Sequence, residues 1–273
     1  MNVLKMSVLK PILFCSSFGL ISVAALVTGE IAQAADRQPK LNPQTLRSTQ
    51  ISWDFKPPNR NAPSSTAGGA SRSGACVSAE PPLTLLLPSK TFGLTAAARP
   101  TFLLYLPKTT AQSAQFVLKD SNNRNVYQTM IELPSRHGIV RLSLPEQAPA
   151  LKVGQDYQWY FAVVCDPDDR SEDVIAQGWI QHTLPNANLV NALKRATASE
   201  QVALYAQSSY WYDSVAMLAA LRQANPKDAK LNADWLRLLK AVGLTQVADQ
   251  PLLGSPLQAS QPLPNRPIGN GTR

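Results

Sequence analysis

The sequence predicts an α+β protein: an antiparallel β-sandwich over residues 81–185, followed by a small helical unit over residues 186–250. Three observations predict it. Short apolar or alternating runs, separated by proline and turn residues, recur up to Pro185. From Asn186 onward the apolar period lengthens from two residues to the helical 3.6. Segments rich in Pro, Gly and Ser flank the two, at 35–80 and 251–273, and their composition buries too little apolar area to offset the entropy of ordering them.

The strands come in order. Leu83–Leu87 ends at Pro88 and Thr101–Leu106 ends at Pro107. Gln115–Lys119 runs into the turn cluster Asp120-Ser121-Asn122-Asn123, and Val126–Leu133 follows, closed by Pro134. Gly138–Leu144, Asp156–Cys165 and Val174–Thr183 complete the set. In the Asp156 strand, a period of two puts Tyr157, Trp159, Phe161, Val163 and Cys165 on one face, which predicts a core face. Gln158, Tyr160, Ala162 and Val164 fall on the other. The approach Leu151-Lys152-Val153-Gly154-Gln155-Asp156-Tyr157 resembles the tyrosine corner of immunoglobulin-like and fibronectin-III-like sandwiches, in which a tyrosine hydroxyl bonds to backbone just upstream.

Four helices follow. Asn186 caps the first, which carries Leu189, Val190 and Leu193. Thr197 with Glu200 makes a capping box for the second, with Val202, Tyr205 and Ala206 inward. The third carries Val215, Leu218 and Leu221 and stops before Pro226; the fourth aligns Leu231, Trp235, Leu238, Leu239 and Val242 and stops at Gly243. From Tyr205 to Pro226 the spacing of Tyr205, Ser209, Trp211, Ser214, Leu218 and Leu221 resembles one tetratricopeptide-like repeat, with serines at the usual glycine and alanine positions. A lone repeat cannot bury its own apolar face, so these helices must pack on the sandwich, on each other or on a partner.

Residues 1–34 predict a cleaved signal peptide. Lys5 and Lys10 precede a run from Pro11 to Val27, and Ala32-Gln33-Ala34 supplies a small-x-small cleavage site. The run is short of the roughly 20 residues that cross a bilayer, so contact with a membrane is expected only through this segment if it stays uncleaved. Cys15 lies inside the run, behind Phe14, which is not how a lipidation signal ends. The expected location is extracytoplasmic, periplasmic or secreted. Export implies oxidising surroundings, and cleavage leaves two cysteines, Cys76 and Cys165, expected to form a structural disulfide.

The net charge of +8 is spread thin: 81–185 carries as many acids as bases, and most of the excess lies in the flanks. No Lys/Arg stripe interleaves with aromatics, so nucleic acid is not an expected partner. Gly68-Gly69-Ala70-Ser71-Arg72-Ser73-Gly74 lacks the Lys-Ser/Thr ending of a phosphate loop and reads as linker. His137 and His182 have no neighbours at metal-ligand spacing, and no cofactor is expected. Asp166, Asp168, Asp169, Glu172 and Asp173 crowd one connection, but Arg170 stands where a third calcium ligand belongs, and the turn reading is preferred. Tyr210, Trp211 and Tyr212 are the candidate interaction residues, since aromatics are enriched in binding hot spots; at repeat spacing the same residues also suit a core.

Several segments together carry a family resemblance: Phe55-Lys56-Pro57-Pro58, the run from Gly68 to Cys76, Leu94 to Pro107, Tyr157-Gln158-Trp159-Tyr160-Phe161 through Cys165-Asp166-Pro167, and Tyr205-Ala206 through Trp211-Tyr212-Asp213. In order and spacing these resemble the cyanobacterial domain-of-unknown-function 928 family. The resemblance implies an exported cyanobacterial protein and implies no activity. The leading expectation is a non-catalytic protein-binding or scaffold module of the cell envelope, with an unidentified protein partner. The alternatives are an envelope hydrolase or carbohydrate-acting enzyme, which needs paired carboxylates, and a wall- or sugar-binding module, which needs a flat row of exposed aromatics including Tyr160 or Trp179.

Overall fold

The computed structural model describes residues 54–59, 76–88 and 92–262. The chain divides at residue 48, and all described residues lie in the unit 49–273. The signal-peptide segment, its cleavage site, the Gly68–Gly74 stretch and residues 263–273 lie outside the described residues.

Nine strands are described: β1 (Thr84–Leu85), β2 (Gly93–Thr95), β3 (Thr101–Leu106), β4 (Ser113–Asp120), β5 (Asn125–Glu132), β6 (Gly138–Ser143), β7 (Asp156–Val164), β8 (Val174–His182) and β9 (Ala259–Pro262). They form a three-stranded sheet, β1-β3-β6, and a six-stranded sheet, β2-β8-β7-β4-β5-β9. The inner faces share one core: Phe102, Leu104, Val140 and Leu142 of the small sheet meet Phe116, Leu118, Trp159 and Phe161 of the large one. Phe102 packs against Trp159 at 4.7 Å between ring centroids and against Phe116 at 5.1 Å. Of the predicted core face, Tyr157, Trp159, Phe161 and Val163 are buried in β7, while Cys165 falls just beyond the strand and is partly buried. Tyr157 makes the expected corner bond, its hydroxyl accepting the Lys152 N–H at 3.0 Å.

One pairing departs from the antiparallel expectation: β2 runs parallel to β8. The two are far apart in the chain, so no hairpin dictates their direction. With only three residues, β2 left no periodic trace in the sequence.

The helices are α1 (Ala187–Arg195), α2 (Ala198–Gln207), α3 (Trp211–Ala224), α4 (Ala229–Ala241) and the short α5 (Thr245–Ala248). Asn186 caps α1 and the Thr197/Glu200 box caps α2, as the sequence predicts. α4 ends in a left-handed Gly243 (φ 84°), with the Leu244 N–H returning to the Leu239 carbonyl. α2 ends the same way on Ser209 (φ 71°), where Tyr210 N–H returns to Tyr205 O.

The helices pack on each other and on the outer face of the small sheet. Leu103, Tyr105 and Ile139 join Trp211, Val215, Leu218, Trp235 and Leu238 in a second core. The small sheet is thus the middle of three layers. That is why β3 reads Thr-Phe-Leu-Leu-Tyr-Leu, apolar without alternation: five of its six residues are buried.

Parts of both flanking segments are described, and they lie against the fold. Phe55 stacks edge-on against Trp211 at 4.9 Å, and Lys56 N–H donates to Ala206 O at 3.1 Å. Cys76 and Ser78 exchange backbone bonds with Thr110 and Lys108. Beyond Pro251, the chain runs along β6 (Leu253 N–H to Ile139 O, 2.8 Å; Leu257 N–H to Arg141 O, 2.7 Å) and then pairs with β5 as β9. Composition identified these stretches as unable to fold alone. Docked on an existing edge, their backbone bonds are satisfied by the sheet.

Candidate functional site

Cys76 and Cys165 are joined, with Sγ atoms 2.01 Å and Cα atoms 5.5 Å apart. The bridge ties the 76–78 segment to the end of β7.

Tyr210, Trp211 and Tyr212 are 6%, 0% and 1% exposed, so all three take the core placement that their repeat spacing also suited. Successive residues of a helix point about 100° apart, and here they enter different cores. Trp211 sits in the helical core and donates from Nε1 to Leu86 O at 2.7 Å. Tyr212 enters the sandwich core, where its hydroxyl accepts from Trp159 Nε1 (2.7 Å) and donates to Trp179 O (3.0 Å). Burial holds the Tyr212 phenol well above its ordinary pKa, with the Trp159 bond acting the other way. Gly93 makes room for it: a Cβ there would lie 2.3 Å from Tyr212 Cε2.

The other candidates are separated. Asp166 and Asp169 accept backbone N–H groups of the turn, from Asp168 and Ser171, while the buried Asp173 pairs with Arg170 at 2.6 Å. Among the described residues no three His, Cys, Asp or Glu side chains gather as a metal would require. Tyr160 and Trp179 lie on the outer face of the large sheet, but not as a bare row: Lys119 Nζ stands 5.4 Å over the Tyr160 ring, and Trp179 packs against Phe92 at 5.5 Å. Two open clefts, of ≈ 500 and ≈ 690 Å³, share Glu132 as their one carboxylate, so neither holds the acid pair a glycosidase uses.

A different group of residues meets where β2, β8 and the α2–α3 turn converge. Asp213, in the first turn of α3, accepts the Ala96 N–H at 2.9 Å across the seam between sheet and helices. Thr95, whose hydroxyl donates to Ala97 O at 3.5 Å, is near enough to favour the charged form of Asp213. Thr95 and His182 are register partners in the parallel β2–β8 pair, both buried. His182 Nδ1 lies 2.8 Å from Leu151 O; a carbonyl only accepts, so Nδ1 carries a hydrogen. Tyr205 and Tyr210 close the other side, ring edge to ring face at 6.1 Å.

Burial pushes the Asp213 carboxyl up to about 6, against the Ala96, Thr95 and His182 contacts, which favour the charged form. Burial raises both tyrosines too, and the Asp213 charge adds to it. A perturbed acid ringed by phenols, reachable from solvent at Asp213 and Tyr205, is the arrangement that most often accompanies binding or chemistry.

Residues 67–252 match the model of the Domain of Unknown Function DUF928. The chain belongs to the DUF928 family. The matched stretch spans the disulfide, both sheets up to β8, all five helices and every residue of the Asp213 cluster. No curated protein matches the chain. Tyr205, Tyr210 and Asp213 lie within a segment that carries the family resemblance, but nothing in the sequence marks Asp213 as a site. Placed three residues after the helix N-cap, it has the look of an ordinary first-turn acid.

Proposed function

We propose that this DUF928 protein is an exported, non-catalytic binding module of the cell envelope that engages a protein partner at the sheet–helix seam around Asp213. The observation that carries this reading is a partly buried carboxylate that no Lys or Arg among the described residues pairs with, close to the Tyr205–Tyr210 ring pair. Such a group costs the fold stability and repays that cost only when a ligand completes it. The disulfide is weakly compatible with an extracytoplasmic location, and no helix of the described residues is long and apolar enough to cross a membrane. The contacts of Asp213 support binding over turnover in this reading: a backbone N–H donates to the carboxylate, and among the described residues no three His, Cys, Asp or Glu side chains gather there.

Two measurements test the reading. N-terminal sequencing of protein recovered from the envelope should begin at Ala35 or Asp36; an intact Met1 there would defeat cleaved export. Site-specific photo-crosslinking from position 205 should give one dominant adduct with wild type and lose it with Asp213→Asn. Adducts unchanged by that substitution would remove the seam from the binding role, and turnover of an envelope polymer abolished by it would replace binding with catalysis.

A further inference from the structure

Three aspartates of the described chain are buried, and each carries its own cation. Asp120 pairs with Arg124 at 2.7 Å, Asp173 with Arg170 at 2.6 Å, and Asp234 with Lys230 at 3.1 Å and Arg237 at 3.6 Å. The partly buried Asp213 differs from these three. Its observed hydrogen bond is from the Ala96 N–H at 2.9 Å, and Thr95 and His182 stand near enough to favour its charged form. Among the described residues no Lys or Arg reaches it. An unpaired carboxylate in such a place is normally removed or paired, because desolvation of the charge costs several kcal/mol.

We infer that Asp213, Tyr205 and Tyr210 form a receptor for an organic ammonium group, which on the binding-module reading is a lysine side chain of the partner. The chemistry selects this class. Tyr205 is partly open beside the negative charge, with the buried Tyr210 packed edge-on against it, and a cation held against such a ring is attracted by its quadrupole. An ammonium is a compact charge with three donors, and one contact to a carboxylate oxygen satisfies it. A guanidinium wants both oxygens for its fork, and Asp213 Oδ2 is already engaged by Ala96. A metal ion would need further oxygen or nitrogen ligands, and the described residues bring no such group together.

Binding to the charged form must lower the apparent pKa of Asp213 from about 6. The experiment follows the Asp213 carboxyl carbon by NMR in the full chain, titrated from pH 4 to 8. One arm adds n-butylammonium chloride, one an acetylated and amidated Gly-Lys-Gly peptide, one methylguanidinium, and one sodium chloride at matched ionic strength. With saturating n-butylammonium or the lysine peptide, the midpoint falls by at least one pH unit. The melting temperature at pH 7.5 then rises by roughly 5 °C or more at a hundredfold excess over Kd. At pH 4.5 the rise vanishes. Asp213→Asn abolishes it at every pH, and Tyr205→Ala weakens binding at least fivefold while Tyr205→Phe retains it. Butylammonium without the peptide would limit the site to small free amines and overturn the lysine assignment. An equal response to methylguanidinium or sodium, or an unchanged response in Asp213→Asn, would overturn the site. Loss of the ammonium response with the position-205 crosslink intact would remove this site and leave the binding reading standing. The reverse result would remove the protein partner and keep the site.

Discussion

The two sheets of this protein are built from similar residues and read quite differently. β3 of the small sheet is apolar at five consecutive positions, whereas β7 of the large sheet alternates Tyr157, Trp159 and Phe161 with Gln158, Tyr160 and Ala162. The difference records the layers on either side. The small sheet has the sandwich core on one face and Trp211, Val215 and Leu218 on the other. The helices touch the large sheet at β2 and, through Tyr212, at Trp159 and Trp179, while its outer face carries Gln115, Gln158, Tyr160 and Lys119 at intermediate exposure. Strand polarity therefore counts covered faces before any topology is known. The place where the two regimes meet is the seam, and there α3 sends Tyr212 into the sandwich core and holds Asp213 against the end of β2.

The sharpest way to break the comparison is to charge both faces of each sheet. Leu103→Asp and Leu104→Asp should each cost more than about 4 kcal/mol or prevent folding, since each buries a charge without a partner. On β7, Phe161→Asp should do the same while Gln158→Glu changes stability by less than about 1 kcal/mol. Guanidinium unfolding reads the series, and a tolerated Leu103→Asp would mean that the helices do not cover the small sheet.

Next in size is the disulfide. Replacing Cys76 and Cys165 together by Ser should cost about 2–5 kcal/mol, because the bridge closes a loop with a sequence separation of 89. The lost stability should appear in the large sheet first: hydrogen exchange at the end of β7 should speed up before exchange in β3 does. Equal acceleration in both would contradict the bridge's position on the large sheet.

Tyr212→Phe sharpens the seam itself. Deleting the hydroxyl strands Trp159 Nε1 and Trp179 O in the interior, at a cost of about 1–3 kcal/mol. Gly93→Ala should produce a loss through the same residue by steric conflict, and the double variant Gly93→Ala with Tyr212→Ala should recover part of it. Additive losses would show that the two residues do not meet.

The smallest effect is the pH dependence of Asp213. Its folded pKa, about 6, stands above the ordinary 3.8, so the folded state binds its proton more tightly than the unfolded state. The contribution is therefore fully present below about pH 4 and is lost as pH rises through 6. Its size is of order 1–3 kcal/mol, reduced toward the lower figure by the exposed part of the group. Denaturant midpoints from pH 4.5 to 7.5 should fall in wild type relative to Asp213→Asn, and parallel curves would remove the effect.

Much of this was legible in the chain. Alternation located the core face of β7, side-chain chemistry located both helix caps, and compartment arithmetic paired Cys76 with Cys165. These depend on local period, local capping or a count, and none needs a distant neighbour. β2 was missed because three residues are too few for a period, and 251–262 because its stabilising bonds come from β5 and β6. Trp211 and Tyr212 were recognised as a pair but not as residues of two cores, since which core each enters depends on where α3 crosses the sheets.

The sequence by itself determined the α+β order, the strand and helix periods, the caps and the cysteine pair, because each is set by interactions within a few residues or by composition. Only the tertiary structure decided that the small sheet is a middle layer, that β2 lies parallel to β8, and that Asp213 meets Ala96, Thr95 and His182. Ala96 and Asp213 stand 117 positions apart, and no local rule reaches that far. The carboxylate's character follows from what surrounds it: burial raises its pKa to about 6, an effect that exists only once sheet and helices have closed on the same side chain.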